Sequence, residues 1–315
     1  MFETDLMALT PRQRMDRLRS ALRQEREPAS QELAKRMDRC GVAWKDGRYE
    51  CRTPSCVDCR QRYIGREQRV ARRWFSDHKP ENLAFVSVVL EATSEVTRLA
   101  ELIKRSRNDT RNRMKASRRT SPQWRGAYMA GWHEIDAVAA DQIPLLPPQR
   151  RELMEQLVPW SLSSGGPAWV ATYHGIFHLN GLSAEDVSVE FGRQWPIRRQ
   201  VHVKPFELAT PVVTSLDRIV SYSNKFSNMV HLNDGYVETW PVSWESSLFG
   251  WLQASHRNAF EALRFRIGPQ VTSPAEVLNG SNDNTDSLHQ YPASEGMPWL
   301  ITGDPMSPIY TGGLW

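Results

Sequence analysis

Outside the twenty residues from Cys40 to Cys59, the chain of 315 residues contains no cysteine, which excludes a disulfide framework spread over the fold. Long apolar runs are missing as well. None reaches the roughly 18–20 residues needed to span a bilayer, and the opening MFETDLMALTPRQR lacks the apolar stretch of a signal peptide. No internal repeat is present, and no Lys or Arg follows Arg266, where five acidic side chains remain. With 40% hydrophobic and 24% charged residues, the chain is expected to be soluble, to bury a substantial core, and to work in a reducing cytoplasm without a membrane partner.

Positive charge gathers in the front half. Residues 1–80 carry 19 Lys/Arg against 12 Asp/Glu, and residues 101–126 carry nine against two, a net +7 in each stretch. A cationic front half suits a polyanion, because neutralising phosphates supplies most non-specific affinity for nucleic acid.

The four cysteines, Cys40, Cys51, Cys56 and Cys59, follow the pattern C-x10-C-x4-C-x2-C. A cytosolic chain that gathers all its thiols in so short a segment is expected to bind metal rather than to form disulfides. Four thiolates close a tetrahedral zinc site, which replaces the hydrophobic core that such a segment cannot build. The interleaved Arg52, Arg60 and Arg62 make this ribbon a candidate DNA-contacting surface, joined by Arg105, Arg107 and Arg111 of the second basic run.

Apolar spacing at Met15, Leu18, Leu22, Leu33 and Met37 predicts a basic helix over 10–39, interrupted at EPAS (27–30). LAFVSVVLEA, 83–92, reads as a buried strand, and a helix with Ser94 as its cap follows. Residues 124–140 read as extended, 147–160 as a helix opened by prolines, and 167–181 as a strand closed by an Asn-Gly turn. A short helix over 183–195, a strand over 198–206 and a helix over 215–230 capped by Ser215 come next. A strong amphipathic pattern predicts one more helix over 244–268, and the Ser/Asn/Pro/Gly-rich tail from Pro269 is expected to be poorly ordered. The alternation predicts an α+β fold, a central antiparallel sheet with packed helices, preceded by a small zinc-ribbon-like module. The expected divisions are a basic helical segment 1–39, the ribbon-like module 40–80, a main domain 81–235, a helical extension 236–268 and the tail 269–315.

Two patterns carry chemistry. In ATYHGIFHLNG, Thr172, His174, Ile176 and His178 share one face of a strand. In IVSYSNKF, Lys225 stands one helical turn after Tyr222 and so on the same face. A cysteine knuckle CxxxxCxxC followed by arginines, an apolar strand, a segment carrying a glutamate, a strand containing HGI and a downstream Tyr-x-x-Lys occur here in that order. Together they make the chain, from about Cys40 to Met229, resemble the rolling-circle replication initiators of the HUH endonuclease superfamily.

That resemblance implies an HUH nuclease-like fold and site-specific nicking and joining of DNA through a 5′-phosphotyrosyl intermediate, which starts rolling-circle replication of a plasmid or phage-like element. It implies Tyr222 as nucleophile and Lys225 as its helper. It implies His174, His178 and Glu134 around a catalytic Mg²⁺ or Mn²⁺, with Asp136 the alternate carboxylate. The implied partners are single-stranded or cruciform origin DNA, a host helicase and replication proteins. Thr172 stands where the family has its first histidine, and His178 lies about 13 Å from His174 along a regular strand. Either distorted geometry brings His178 back, or another histidine such as His133 or His202 completes the site, or metal binding is weakened. Two neighbouring functions stay open: a transposase or relaxase of the same superfamily, and a zinc-ribbon DNA-binding regulator without nuclease activity.

Overall fold

Two helices come first among the described residues, and proline starts each of them. α1 (Pro11–Gln24) begins at Thr10, whose hydroxyl accepts the Gln13 amide at 3.3 Å while the Gln13 side chain accepts the Thr10 amide at 2.8 Å. α2 (Pro28–Arg39) restarts at Pro28, a position where a helix loses nothing by lacking an amide hydrogen. The break falls at the expected place, and Leu18, Leu22, Leu33 and Met37 are buried as their spacing predicts. The structure, a computed structural model, describes residues 10–44, 47–158, 166–226, 228–235, 237–255 and 258–268. The tail expected over 269–315 lies outside these residues.

A two-residue-per-strand hairpin, β1 (Ala43–Trp44) with β2 (Gly47–Arg48), leads to the long helix α3 (Val57–Phe75). The centre of the protein is a five-stranded antiparallel sheet of β3 (Leu83–Thr93), β4 (Tyr128–Ala139), β5 (Pro167–His178), β6 (Val201–Pro205) and β9 (Arg264–Ile267), in the order β6-β3-β5-β4-β9. A separate small hairpin pairs β7 (Met229–His231) with β8 (Val237–Thr239). The architecture is therefore α+β, with a central antiparallel sheet, packed helices and a cysteine cluster ahead of it. Among the described residues no helix is long and apolar enough to cross a membrane.

Strand alternation divides the sheet's side chains between two helical layers. Register places His202, Ser87, His174 and Trp132 in one row across β6, β3, β5 and β4, on the same face as Glu134 and Thr172. This face is covered by α3 and α8 (Val212–Ser223), as the hydrogen bond from Trp132 Nε1 to Glu67 of α3 at 3.0 Å illustrates. The opposite face carries His133, Tyr173 and Phe177 and is covered by α4 (Leu99–Thr120) and α7 (Ala184–Gly192), between which the chain also forms the short helices α5 (Pro122–Gly126) and α6 (Pro148–Leu157); His133 Nε2 lies 3.2 Å from Ser106 Oγ of α4.

Glycine is required twice in this second layer. The Tyr173 ring lies across the neighbouring backbone, so that a Cβ on Gly175 would come within 2.5 Å of its hydroxyl and a Cβ on Gly131 within 2.4 Å. The glycine of the HGI pattern therefore serves Tyr173 on the far side of the sheet. A bulge between Val89 and Glu91 is closed by Gln200, whose side-chain amide donates to the carbonyls of Val89 and Leu90 at 3.0 Å each.

Several expected boundaries are corrected. α4 starts only after a 3-10 turn at Val96–Arg98, so Ser94 caps nothing. α8 starts at Val212 and ends at Ser223, which puts Ser215 inside the helix and Lys225 beyond its end. Residues 244–268 are not one helix: α9 (Val242–Ser255) and α10 (Ala259–Leu263) are followed by β9, which extends the main sheet. Nor is α9 amphipathic. Consecutive residues from Leu248 to Leu252 are buried, because α1 and α2 pack on it from the N-terminal side of the chain.

Candidate functional site

The cysteines are brought together by the ends of secondary-structure elements. Cys40 ends α2, Cys51 follows the β1–β2 hairpin, Cys56 caps α3 and Cys59 sits in its first turn. Their sulfurs stand 3.5 to 3.6 Å apart in three pairs, and all four lie within 4.8 Å of one another. A ZnS₄ tetrahedron with bonds of about 2.3 Å has edges of about 3.8 Å, so the donor set fits zinc. Hydrogen bonds among the four sulfurs push the Cys40 and Cys56 thiols below and the Cys51 and Cys59 thiols above their ordinary range. Arg52, in left-handed backbone at φ 57°, turns its amide toward Cys59.

The same helix reaches the Tyr222 region. Arg60, the residue after Cys59, donates from Nη1 to the carbonyls of Lys225 at 2.8 Å and Phe226 at 3.3 Å. Two turns further, Gln68 donates to Ser221 Oγ at 3.2 Å, and Arg72 pairs with Asp217, its Nε at 3.0 Å. α3 is thus shared: its first turn belongs to the thiolates and the rest lies along α8.

α8 buries Leu216, Ile219, Val220 and Ser223 against neighbouring elements, which places Tyr222 in its last turn over β5. The Tyr222 ring meets His174 edge-on at 5.3 Å and Phe85 at 6.3 Å between centroids. Lys225 does not continue the helix. Its amide donates to the Tyr222 carbonyl at 3.2 Å, Phe226 adopts φ 47°, and the turn folds the Lys225 ammonium back to 4.4 Å from the Tyr222 ring centroid. The expected neighbourhood of Tyr222 and Lys225 exists, but a turn makes it rather than a helical face.

His174 Nε2 donates to Glu134 Oε2 at 2.9 Å, and Lys225 Nζ lies 3.9 Å from Glu134 Oε1. Both His174 and Glu134 are buried. Burial opposes the charge on Glu134, yet the hydrogen bond from His174 and the Lys225 ammonium outweigh it and hold the carboxyl below its ordinary range. Burial likewise opposes the charge on Lys225, whose pKa is nonetheless raised by Glu134 and by Tyr222. Asp136, two residues along the same face, is instead pushed up by burial and pairs with Arg150 at 2.7 Å.

The other expected site residues lie elsewhere. His178 sits at the far end of β5 against His78 and Tyr128, at 4.1 and 4.8 Å between centroids, with Nδ1 3.3 Å from the Gly126 carbonyl. No distortion of β5 returns it to His174, since β5 pairs with β4 without a register shift from Tyr128 to Ala139. His133 faces the opposite layer. The three-ligand set of His174, His178 and Glu134 does not assemble, and among the described residues the cysteines are the one group of three or more His, Cys, Asp or Glu side chains close enough to share an ion.

The arginines divide as well. Arg105 pairs with Glu91, Arg107 donates to the Ala262 carbonyl and Arg111 stands 5.1 Å over the Phe265 ring, all from α4 on the layer opposite Tyr222. Arg62 pairs with Glu50 at 3.4 Å. Desolvation lowers the pKa of Arg60, and that of Arg107 to about 10, and both half-buried side chains brace backbone carbonyls, Arg60 those of Lys225 and Phe226 and Arg107 that of Ala262.

No family model, curated protein or solved structure matches the chain. What can be said of the site comes from its own residues. The strut from Arg60 has no sequence signature beyond an arginine beside a zinc-type ligand.

Proposed function

We propose that the protein is a tyrosine-dependent DNA nicking and joining enzyme that initiates rolling-circle replication. The observation that carries this reading is the convergence of Tyr222, His174, Glu134 and Lys225 from α8, β5, β4 and the turn after α8, in a chain whose residues 1–80 carry 19 Lys/Arg against 12 Asp/Glu, a charge that favours DNA. In the reaction Tyr222 Oη attacks a phosphodiester phosphorus, a P–O(Tyr) bond forms and the P–O3′ bond breaks. The phenol gives up one proton and the departing 3′-oxygen takes one up. The phosphoester energy stays in the protein–DNA bond, so the reverse attack by a 3′-hydroxyl rejoins the strand without ATP.

Lys225 supplies positive charge beside Tyr222, where charge develops on the reacting oxygens. Glu134 holds both Lys225 and His174 in place. The resemblance implies a divalent cation here, but His174, His178 and Glu134 do not come together as its ligands. Zinc at the cysteines has a structural role, holding the start of α3.

A second reading, a zinc-bearing DNA-binding regulator, is favoured by one observation: the Glu134 carboxylate already has partners in this chain, His174 Nε2 at 2.9 Å and the Lys225 ammonium at 3.9 Å. Single-stranded oligonucleotides of varied sequence, offered with Mg²⁺ or Mn²⁺, separate the two. Nicking by the wild type that is abolished in Tyr222→Phe supports the enzyme; binding without nicking under every divalent metal supports the regulator.

A further inference from the structure

A second cation stands beside the Tyr222 site. Arg150, in the first turn of α6, donates from Nη2 to Asp136 Oδ2 at 2.7 Å. Asp136 lies two residues beyond Glu134 on β4, hence on the same face and about 7 Å along the strand. β4 therefore holds two cations side by side: the Lys225 ammonium, 3.9 Å from Glu134, and the Arg150 guanidinium on Asp136. They arrive from different elements, and each feels the other, since burial first and the Arg150 charge after it oppose the raised pKa of Lys225.

Both cations keep most of their donors unused. The Arg150 side chain is only 17% exposed, yet Asp136 is its one hydrogen-bond partner among the described residues. At 3.9 Å the contact of Lys225 with Glu134 is an ion pair and not a hydrogen bond, and the Lys225 side chain is exposed. Nor does Asp136 cancel the charge of Arg150. Burial, aided by the Glu134 charge, pushes the Asp136 carboxyl up against the pull of Arg150. A guanidinium fork with free N–H groups suits a phosphate. The separation of Glu134 and Asp136 along β4 is close to the step between successive phosphates of one DNA strand.

We propose that Arg150 binds the phosphate next to the one that Tyr222 attacks, while Lys225 serves the attacked phosphate, so that a strand is held across β4 by two consecutive anions. Asp136 is then a positioning residue that aims the Arg150 fork. The place of this phosphate beside the attacked one rests on the nicking reading; the phosphate contact itself does not.

Binding is measured apart from chemistry in Tyr222→Phe, by fluorescence anisotropy of a labelled single-stranded dT oligonucleotide over a range of salt. Adding Arg150→Gln should weaken binding about 10-fold, the lower end of what a charged hydrogen bond is worth. The plot of log affinity against log salt should become shallower by about 0.7, the share of one single-strand phosphate. Arg150→Lys should keep the slope and lose part of the affinity. Asp136→Asn should bind at least as tightly as its parent, because it removes a negative charge and leaves the guanidinium. A merely structural Arg150–Asp136 pair would make both losses alike. Arg105→Gln, on the opposite layer, should change neither affinity nor slope. In an oligonucleotide that the wild type nicks, an uncharged methylphosphonate next to the nicked linkage should slow the wild type and add nothing to the loss in Arg150→Gln.

Unchanged affinity and slope in an Arg150→Gln protein that melts near its parent, or equal losses in Arg150→Gln and Asp136→Asn, would overturn the proposal. Should Arg150→Gln melt early, Arg150→Lys decides, and parental affinity there overturns it. If the slope falls as stated and the wild type nicks no strand, the phosphate contact stands and the nicking reading falls. If the wild type nicks while Arg150→Gln binds as its parent does, the nicking reading stands and this assignment falls.

Discussion

Removing Arg60 should loosen the turn after Tyr222 while leaving the cysteine cluster intact. The guanidinium makes one good bond to the Lys225 carbonyl at 2.8 Å and a longer one to Phe226 at 3.3 Å, and burial lowers its pKa. A charged donor to a carbonyl contributes about 1.5–3 kcal/mol, and water recovers part of this at a half-buried site, so Arg60→Ala should cost about 1–2 kcal/mol. The cost should appear locally, as faster hydrogen exchange at the amides of Asn224 and Lys225, which donate to the Ser221 and Tyr222 carbonyls. An increase of about 5- to 30-fold corresponds to that energy. Arg60→Lys should recover only part of it, since an ammonium lacks the planar fork. Stripping any metal from the four cysteines with a chelator should expose the same amides, because α3 begins at Cys56 and Cys59. Unchanged exchange at 224 and 225 in Arg60→Ala, with zinc retained, would refute the strut.

Other expectations concern stability. Cys51→Ser should lower zinc content, measured by atomic absorption, from one per chain and lower the melting temperature, with a loss on the order of several kcal/mol given the energies of structural zinc sites. His133 is buried, and desolvation first of all, with the nearby Arg107 charge, pushes its pKa down to about 3. Its folded pKa is depressed below the unfolded value near 6.5, so between these values the unfolded chain binds a proton that the native protein does not. Stability therefore falls as the pH is lowered through that window, and His133→Gln should reduce the slope in denaturant titrations by about 1.4 kcal/mol per pH unit. Gly175→Ala should cost about 1–3 kcal/mol by thermal or urea unfolding, since its Cβ meets the Tyr173 hydroxyl at 2.5 Å and the Ala130 carbonyl at 3.0 Å.

The strands were the most legible part of the sequence. LAFVSVVLEA and PAWVATYHGIFH are apolar and β-branched, and strand parity correctly put Thr172, His174 and His178 on one face. Parity fixes the face but not the partner: which residue shares a row with His174 depends on β6 pairing with β3, a contact between residues far apart in the chain. Helix ends were read less well, because Ser94 and Ser215 look like caps while a 3-10 turn and Pro211 set the real starts. RFRI at the end of the chain's last helical pattern gives no local sign that it is an edge strand, since only pairing with β4 makes it one. The basic run of α4 was legible as charge, but its layer is a property of the topology, and that layer faces away from Tyr222.

The central claim is that Tyr222 forms a covalent bond to DNA. Incubating the zinc-loaded protein with single-stranded substrate and Mn²⁺, digesting both components and weighing the peptides by mass spectrometry tests it directly. The expected result is a nucleotide remnant attached through phosphate to the peptide that carries Tyr222, absent from Tyr222→Phe. A remnant on another tyrosine, or an undiminished adduct in Tyr222→Phe, would contradict it.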